Sequence, residues 1–254
     1  MIKPTLYLMT IILLFAVSVT TTGAVEKSAS GNDIVASIVE GTAQIYTPGK
    51  AAATNLKKGD HLKQNQEVRV GERSKVELQF PDGTAMRLSE KSRLNLAHVS
   101  YDQKTEGKNM KVGLSAGKLW ARVKKLITPD SSVEVVTSNA VAGVRGTVYR
   151  VNVEADSSAV VKVYDGSVYV ANPPRDPSKP NDKLTMPVPV SGPHAVAPPM
   201  HEVSVAEWHV IVKAFQQVVI SPQGVASQPK DFDPKADSDD WVLWNQQRDK
   251  ETKF

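Results

Sequence analysis

The feature that most constrains the fold is a succession of short alternating runs between Ile34 and Val170, separated by turn residues. In the run SKVELQF at 74–80, three apolar residues share one face and three charged or amide residues share the other. A half-buried β-strand has this two-residue period, whereas a helix face repeats every 3.6 residues. Helical periodicity is missing from the whole stretch, which therefore predicts an all-β domain.

Turn signals within this stretch predict hairpins. Asp82-Gly83 follows 74–80 and supplies the positive-φ positions of a tight turn, after which AMRL returns with alternate residues inward. Asp165-Gly166 separates two β-branched runs in the same way and predicts another hairpin. About a dozen strands of this kind suit an irregular β-solenoid or a sandwich-like domain of short hairpins. The further strands are predicted at 34–39, 43–46, 67–70, 93–99, 110–114, 118–124, 133–137 and 147–153.

The N-terminus has the features of a secretory signal. Lys3 precedes an apolar run from Leu6 to Val19, and small residues end at Ala24, so we expect residues 1–24 to be cleaved and the protein to be exported. The alternative is an uncleaved membrane anchor, although the run is shorter than the roughly 20 residues of a spanning helix. Either alternative predicts a periplasmic or extracellular location for the bulk of the chain.

Composition excludes several functional classes. The chain has no cysteine, which excludes disulfides, thiol nucleophiles and Cys-ligated metals, and its formal charge of +4 is too mild to imply nucleic-acid binding. The five histidines lack metal-ligand spacing, and no nucleophile-elbow, phosphate-loop or zinc-protease motif is present. We therefore expect no enzyme activity, no metal and no cofactor.

One segment is markedly basic. Residues 104–125 hold seven Lys or Arg and one acid. Such a stripe is either a docking face for anionic envelope polymers or a solvated sheet face.

The C-terminal third differs in composition from the rest. Residues 171–200 hold nine of the sixteen prolines, which predicts an extended Pro-rich segment over 173–202, with an edge strand at 184–190 as an option. Beyond it we expect a helical extension over 203–254. A capping-box pair at Ser204 and Glu207 and an apolar stripe predict an amphipathic helix over 205–219, read as a cap on an open end of the β domain.

The last residues carry Trp241 and Trp244 behind an acidic start that favours a helix N-terminus. The two indoles either stack on sugar rings or dock back onto the domain.

Residues 136–153, VTSNAVAGVRGTVYRVNV, resemble the motif of the FecR family. The resemblance extends through 56–96, which contains the hairpin FPDGT, and through VVKVYDGSVYV at 160–170. It covers about 34–171, which we take as the core of a β domain over 32–172. The motif residues are Pro81, Asp82, Gly83, Gly143, Val144, Arg145, Gly146 and Thr147.

The resemblance implies an exported β domain that works by contact rather than by catalysis. The best-known members of the family relay a signal from an outer-membrane transporter to a cytoplasmic sigma factor. Only Met1 to Thr5 precede the apolar run here, so we expect a stand-alone exported member that does not contact a sigma factor directly.

Arg145 is a puzzle within the motif. In an unbroken strand over 145–153 it would share a face with apolar residues, and an uncompensated buried charge costs several kcal/mol. Either a bulge at Gly143 or Gly146 turns the side chain outward, or it lies inward and pairs with a carboxylate and carbonyls. Both alternatives make Arg145 a structural tie.

Two functional hypotheses follow. The first is a non-enzymatic interaction or regulatory module that contacts an envelope protein of unknown identity. The second is a protein that binds peptidoglycan or another glycan. Its candidate binding residues are Trp120, Arg122, Lys124, Trp241 and Trp244.

Overall fold

The structure, a computed structural model, describes residues 33–173 and 208–251. The expected signal peptide, most of the Pro-rich segment with its optional edge strand, and the capping-box pair lie outside these residues. The described elements are β1 (Ile34–Glu40), β2 (Ala43–Tyr46), β3 (Thr54–Asn55), β4 (His61–Leu62), β5 (Glu67–Val70), β6 (Lys75–Gln79), β7 (Ala85–Leu88), β8 (Arg93–Tyr101), β9 (Lys108–Arg122), β10 (Ser132–Val136), β11 (Val141–Val144), β12 (Val148–Val153), β13 (Ala159–Asp165), β14 (Ser167–Ala171), β15 (His209–Lys213), β16 (Gln216–Ile220), β17 (Lys230–Asp231) and α1 (Asp240–Glu251).

The strands form two sheets that share β9. Sheet A contains β1, β4, β6, β7, β12, β13, β16, β17 and the second half of β9. Sheet B contains β2, β3, β5, β8, β10, β11, β14, β15 and the first half of β9. Alternate residues of both sheets are buried in one apolar core cluster. The predicted all-β class is therefore confirmed, in a sandwich-like form.

The chain repeatedly crosses from one sheet to the other at a corner. Nine pairs of consecutive described strands do so: β1–β2, β3–β4, β4–β5, β5–β6, β7–β8, β9–β10, β11–β12, β13–β14 and β15–β16. The last three corners are close together, because β11, β14 and β15 are neighbours in sheet B while β12, β13 and β16 are neighbours in sheet A. The strand pairs β11–β12, β13–β14 and β15–β16 therefore all bend at the same place.

Two of these three corners contain a glycine that has no room for a side chain. Gly146 has φ +106° and Gly166 has φ +81°, a backbone region that L-residues with a side chain rarely adopt. A Cβ on Gly146 would lie 2.8 Å from the Cα of Lys125, and one on Gly166 would lie 2.8 Å from the carbonyl oxygen of Gly146. The stacked corners leave no room for a side chain at either position.

The two predicted hairpins have different outcomes. The Asp82-Gly83 turn joins β6 to β7, which pair in antiparallel register, so this hairpin is confirmed. The Asp165-Gly166 hairpin is wrong, because β13 pairs with β12 and β16 whereas β14 pairs with β11 and β15. The same dipeptide provides a sheet-to-sheet corner in place of a reversal within one sheet.

The predicted amphipathic helix over 205–219 is wrong in its described part. β15 and β16 occupy this region and extend the two sheets in place of a helical cap, with a corner at Phe215, where φ is +64°. Val212, Val218 and Ile220 are buried with the two-residue period of strands. β-branched residues fill both strands, and they pack better on a pleated sheet than on a helix. The helix of the C-terminal region is α1, at the acidic start before Trp241.

We expect Gly146→Ala to lower the free energy of unfolding by about 1–3 kcal/mol, because it forces a strained φ and a backbone contact. Gly143→Ala is the matched control. The nearest atom to a Cβ at Gly143 is a carbonyl oxygen 3.9 Å away, so this change should be neutral or stabilise by up to about 1 kcal/mol. Urea unfolding followed by circular dichroism measures both, and equal losses would show that the corner does not require glycine.

Candidate functional site

The Val-Arg-Gly-Thr motif lies at the corner between β11 and β12. Arg145 is exposed, and its Nη2 donates to the carbonyl oxygen of Thr128 at 3.4 Å. Thr147 is buried, and its hydroxyl donates to the carbonyl oxygen of Ser167 at 2.9 Å, which ties this corner to the next one. Val144 packs in the core, while Gly143 lies within the regular ladder of β11. The outward alternative for Arg145 therefore holds, and the bend is at Gly146.

The turn at Pro81, Asp82 and Gly83 carries a buried ion pair. The carboxylate of Asp82 accepts bonds from the backbone N–H and the hydroxyl of Thr84 at 2.9 and 2.6 Å, and it pairs with the ammonium of Lys108. The same ammonium donates to the carbonyl oxygen of Lys124 at 2.9 Å. This turn is therefore tied to both ends of β9, and Lys108 of the basic stripe is buried, contrary to its interpretation as part of a solvated face.

We expect Lys108→Met to destabilise the fold by about 3–5 kcal/mol, because it leaves the Asp82 carboxylate buried without its cation. Lys111→Met, on the same strand, removes a cation from a half-exposed pair with Glu134 and should cost less than about 1 kcal/mol. Thermal unfolding of the two variants measures the difference, and similar melting temperatures would contradict a structural role for the buried pair.

The candidate sugar-binding tryptophans are largely buried. Trp120 is 1% exposed and Trp241 is 8% exposed, with their rings edge to face and 6.2 Å apart between centroids. Trp120 also contacts Tyr164, with 4.4 Å between ring centroids. Trp244 is half-buried beneath the ammonium of Lys75. Trp241 thus docks onto the domain against Trp120 of β9. Neither indole forms the exposed platform that sugar stacking requires.

The other two candidate glycan-binding residues are also partly buried. Arg122 lies in register between Ala85 and Val148, and partial burial lowers the pKa of its guanidinium. The backbone N–H of Lys124 donates to the hydroxyl of Thr84 at 3.3 Å. The five residues proposed for glycan contact therefore belong mainly to the packing of β9 and α1.

A row of large polar side chains crosses the outer face of sheet A. We call it the outer row, and its members are in cross-strand register along β6, β7, β9, β12 and β13. Residues 232–251, here called the C-terminal segment, contact this row from one end to the other. The outer row consists of Glu77, Arg87, Trp120, Arg150 and Lys162.

One end of the outer row holds a four-membered ionic cluster with α1. Arg87 donates through Nε to Glu77 at 2.6 Å and through Nη1 to Asp249 at 2.6 Å. Arg248 donates to the other oxygen of Glu77 at 3.1 Å, and the indole N–H of Trp120 donates to Asp249 at 2.9 Å. The side chain of Arg87 is fully buried, and these carboxylates offset the cost of removing its charge from water.

The other end of the outer row converges on Asp237. Arg150 and Lys162 donate to one carboxylate oxygen at 2.7 and 2.9 Å, and the hydroxyl of Tyr164 donates to the other at 2.5 Å. Lys118, on the same face, pairs with Asp239 at 3.5 Å. Sequence reasoning missed this cluster, because Asp237 lies 75 residues from Lys162 and 87 residues from Arg150 in the chain.

Both carboxylates at the centres of these clusters are held in the ionised form. Burial alone would raise the pKa of Glu77, but hydrogen bonds from Arg87, Arg248 and Ser37 outweigh it and lower that pKa. Burial opposes ionisation of Asp237 in the same way, and hydrogen bonds from Tyr164 and Lys162 with the charge of Arg150 lower its pKa. Burial and the bond to Asp237 raise the pKa of Tyr164.

The lowered pKa values of these two carboxylates predict that acid destabilises the fold. A carboxylate with a lowered folded-state pKa stabilises the fold fully above its unfolded pKa of about 4, and this contribution is lost as the pH falls through the folded-state value. We expect the melting temperature to fall below about pH 4, and Glu77→Gln to be less stable at pH 7 with a shallower dependence on acid. Glu134→Gln, in a half-exposed pair, is the control and should follow the wild-type curve. A Glu77→Gln curve parallel to wild type would contradict the assignment.

The outer face of sheet B is different, because it exposes apolar side chains. Tyr169 on β14 and Ile211 on β15 are cross-strand neighbours, 50% and 57% exposed, and His209 stacks on Tyr169 with 5.6 Å between ring centroids. Gly143 lies beside Tyr169 in register and adds no side chain to this face. We call Tyr169, Ile211 and His209 the sheet B patch.

Residues 33–173 and 208–251 contain no group of three or more His, Asp or Glu able to hold a metal ion. Within the same residues, no helix is long and apolar enough to span a membrane.

Comparison with protein families gives a match over part of the chain. Residues 66–169 match the family model described as FecR protein. This part of the chain is similar to that family, and we call it the FecR domain. The FecR domain runs from the residue before β5 into β14, so it includes the FPDGT hairpin, all of β9 and the Val-Arg-Gly-Thr corner. The resemblance seen in the sequence is thereby confirmed.

Two crystal structures of one protein, described as a candidate anti-sigma factor of Parabacteroides distasonis, are also similar to the chain. Each has 16% sequence identity and a TM-score of 0.43, and the alignment covers 66% of this chain and 60% of that protein. The chain thus matches less than two thirds of the length of that protein. The comparison with curated proteins gives no match.

Proposed function

We propose that this protein is an exported, non-enzymatic regulatory module of the cell envelope that acts by contact with another protein. The observation that carries the proposal is the FecR domain over residues 66–169. Its motif residues Gly146 and Thr147 build a corner between two sheets, which is a scaffold role, and Arg145 beside them faces solvent. We place the protein in the periplasm or outside the cell on the basis of the signal-like segment 1–24.

The sheet B patch supports contact with a protein. Aromatic and aliphatic side chains are enriched at the centres of protein interfaces, and Tyr169 with Ile211 gives two such side chains side by side. Among the described residues β15 pairs only with β14, and the free edge of a strand is where a partner can add a strand of its own. The glycan alternative lacks this support, since Trp120 and Trp241 are buried.

We expect a photo-crosslinking amino acid at Tyr169 or Ile211 to capture a defined envelope protein in living cells. Leu243 is the matched control, since it is also 50% exposed but lies on α1 over the opposite sheet. The crosslinked species are identified by mass spectrometry, and the pellet is assayed for peptidoglycan. Capture of cell-wall polymer without protein, or an identical pattern from Leu243, would contradict the proposal.

Export has its own test. We expect alkaline phosphatase fused after Phe254 to be active in cells, and the mature protein to begin at Val25 by N-terminal mass analysis. An inactive fusion with an intact residue 1 would place the chain in the cytoplasm and remove the envelope from the proposal.

A further inference from the structure

The outer row of sheet A is a cationic and aromatic surface that is covered by an acidic stretch of the same chain. On this face Arg87, Arg150 and Lys162 stand with Glu77 as their only acidic row member, and Lys118 lies nearby. The C-terminal segment carries six acids and three bases. Three of its carboxylates form ion pairs with these four cations. The two surfaces are therefore complementary in charge.

The C-terminal segment satisfies this surface incompletely. Arg87 Nη2 and two nitrogens of Arg150, Nε and Nη1, are buried with no acceptor within hydrogen-bond distance in the described part of the chain. A buried guanidinium nitrogen without an acceptor is unfavourable, since it has lost its hydration without gaining a bond. A different segment that brings one more carboxylate to each arginine would bind this face better than the chain's own residues do.

The attachment of the C-terminal segment is also suited to release. α1 has 12 residues, a length at which an isolated helix is marginal in water, and only Trp241, Val242 and Asn245 are buried on it. The remaining contacts are mainly charge pairs, which give specificity more than net stability. Such an element is expected to open locally without unfolding the sheets.

We propose that the outer row is a recognition site for an acidic, aromatic-containing segment of a partner protein, and that the C-terminal segment occupies it as an intramolecular competitor. The partner carries carboxylates for Arg87 and Arg150 and an aromatic side chain for the position of Trp241 beside Trp120. This site is distinct from the sheet B patch, and its test requires neither export nor a known partner.

The probe is a fluorescent peptide with the sequence of residues 232–251, titrated against the full chain and followed by anisotropy. We expect weak binding to wild type, because the site is occupied, and binding at least tenfold tighter to Asp249→Asn, which loses the carboxylate shared by Arg87 and Trp120. Asp240→Asn is the matched control, since it removes an equal charge from an exposed position of the same helix and should bind as wild type does. Binding should weaken as salt increases.

A second measurement separates release from recognition. Amide hydrogen exchange reports whether residues 240–251 open in Asp249→Asn and in Asp237→Asn/Asp249→Asn, and light scattering reports the mass of each variant. Free exchange of α1 without peptide binding overturns the recognition site, and wild-type exchange in both variants overturns the competitor role. Dimerisation of a variant through its own segment assigns the site to a second copy and overturns the partner assignment.

Discussion

The corner between the two sheets is the constraint on which the rest of the structure depends. Nine times within the described residues the chain leaves one sheet and enters the other, and the last three of these bends lie together beside Gly146 and Gly166. The bends at Gly146 and Gly166 have no space for a Cβ. The third bend bonds to its neighbour through the backbone, because Phe215 N–H donates to the carbonyl oxygen of Val163 at 2.7 Å. The glycine of the FecR motif is thus explained by geometry, without a ligand or a reaction.

The shared bends give the two sheets one common core and two separate outer faces. Apolar residues from both sheets meet in one core, and residues that point away from this core form two outer faces. On sheet B the outer face remains partly open, with Tyr169 and Ile211 exposed. On sheet A the outer face is covered, so Arg87 and Arg150 lose water and require carboxylates from the C-terminal segment.

The local sequence pattern was sufficient to predict most of the FecR domain. It was insufficient to predict the segments that pack against this domain. The alternation in 74–80 and the Asp82-Gly83 turn predicted β6 and β7 correctly, because a half-buried strand shows its burial in its own residues. The apolar residues of 205–219 fit both a helix stripe and two short strands, and pairing with β13 and β14 decided between them. The same dependence on distant neighbours made Asp165-Gly166 a corner instead of a hairpin.

The two kinds of arginine in this chain illustrate how far a motif informs function. Arg145 belongs to the family motif and faces solvent with one long bond to a carbonyl, whereas Arg87 and Arg150 lie under the C-terminal segment with several short ones. In the sequence all three look alike, as single cations within apolar strands. They differ in their partners: Arg87 pairs with Glu77 and with the distant Asp249, and Arg150 pairs with the distant Asp237. A buried arginine that still has unpaired donors binds its carboxylate strongly but not exclusively, which is the property that a displaceable contact requires.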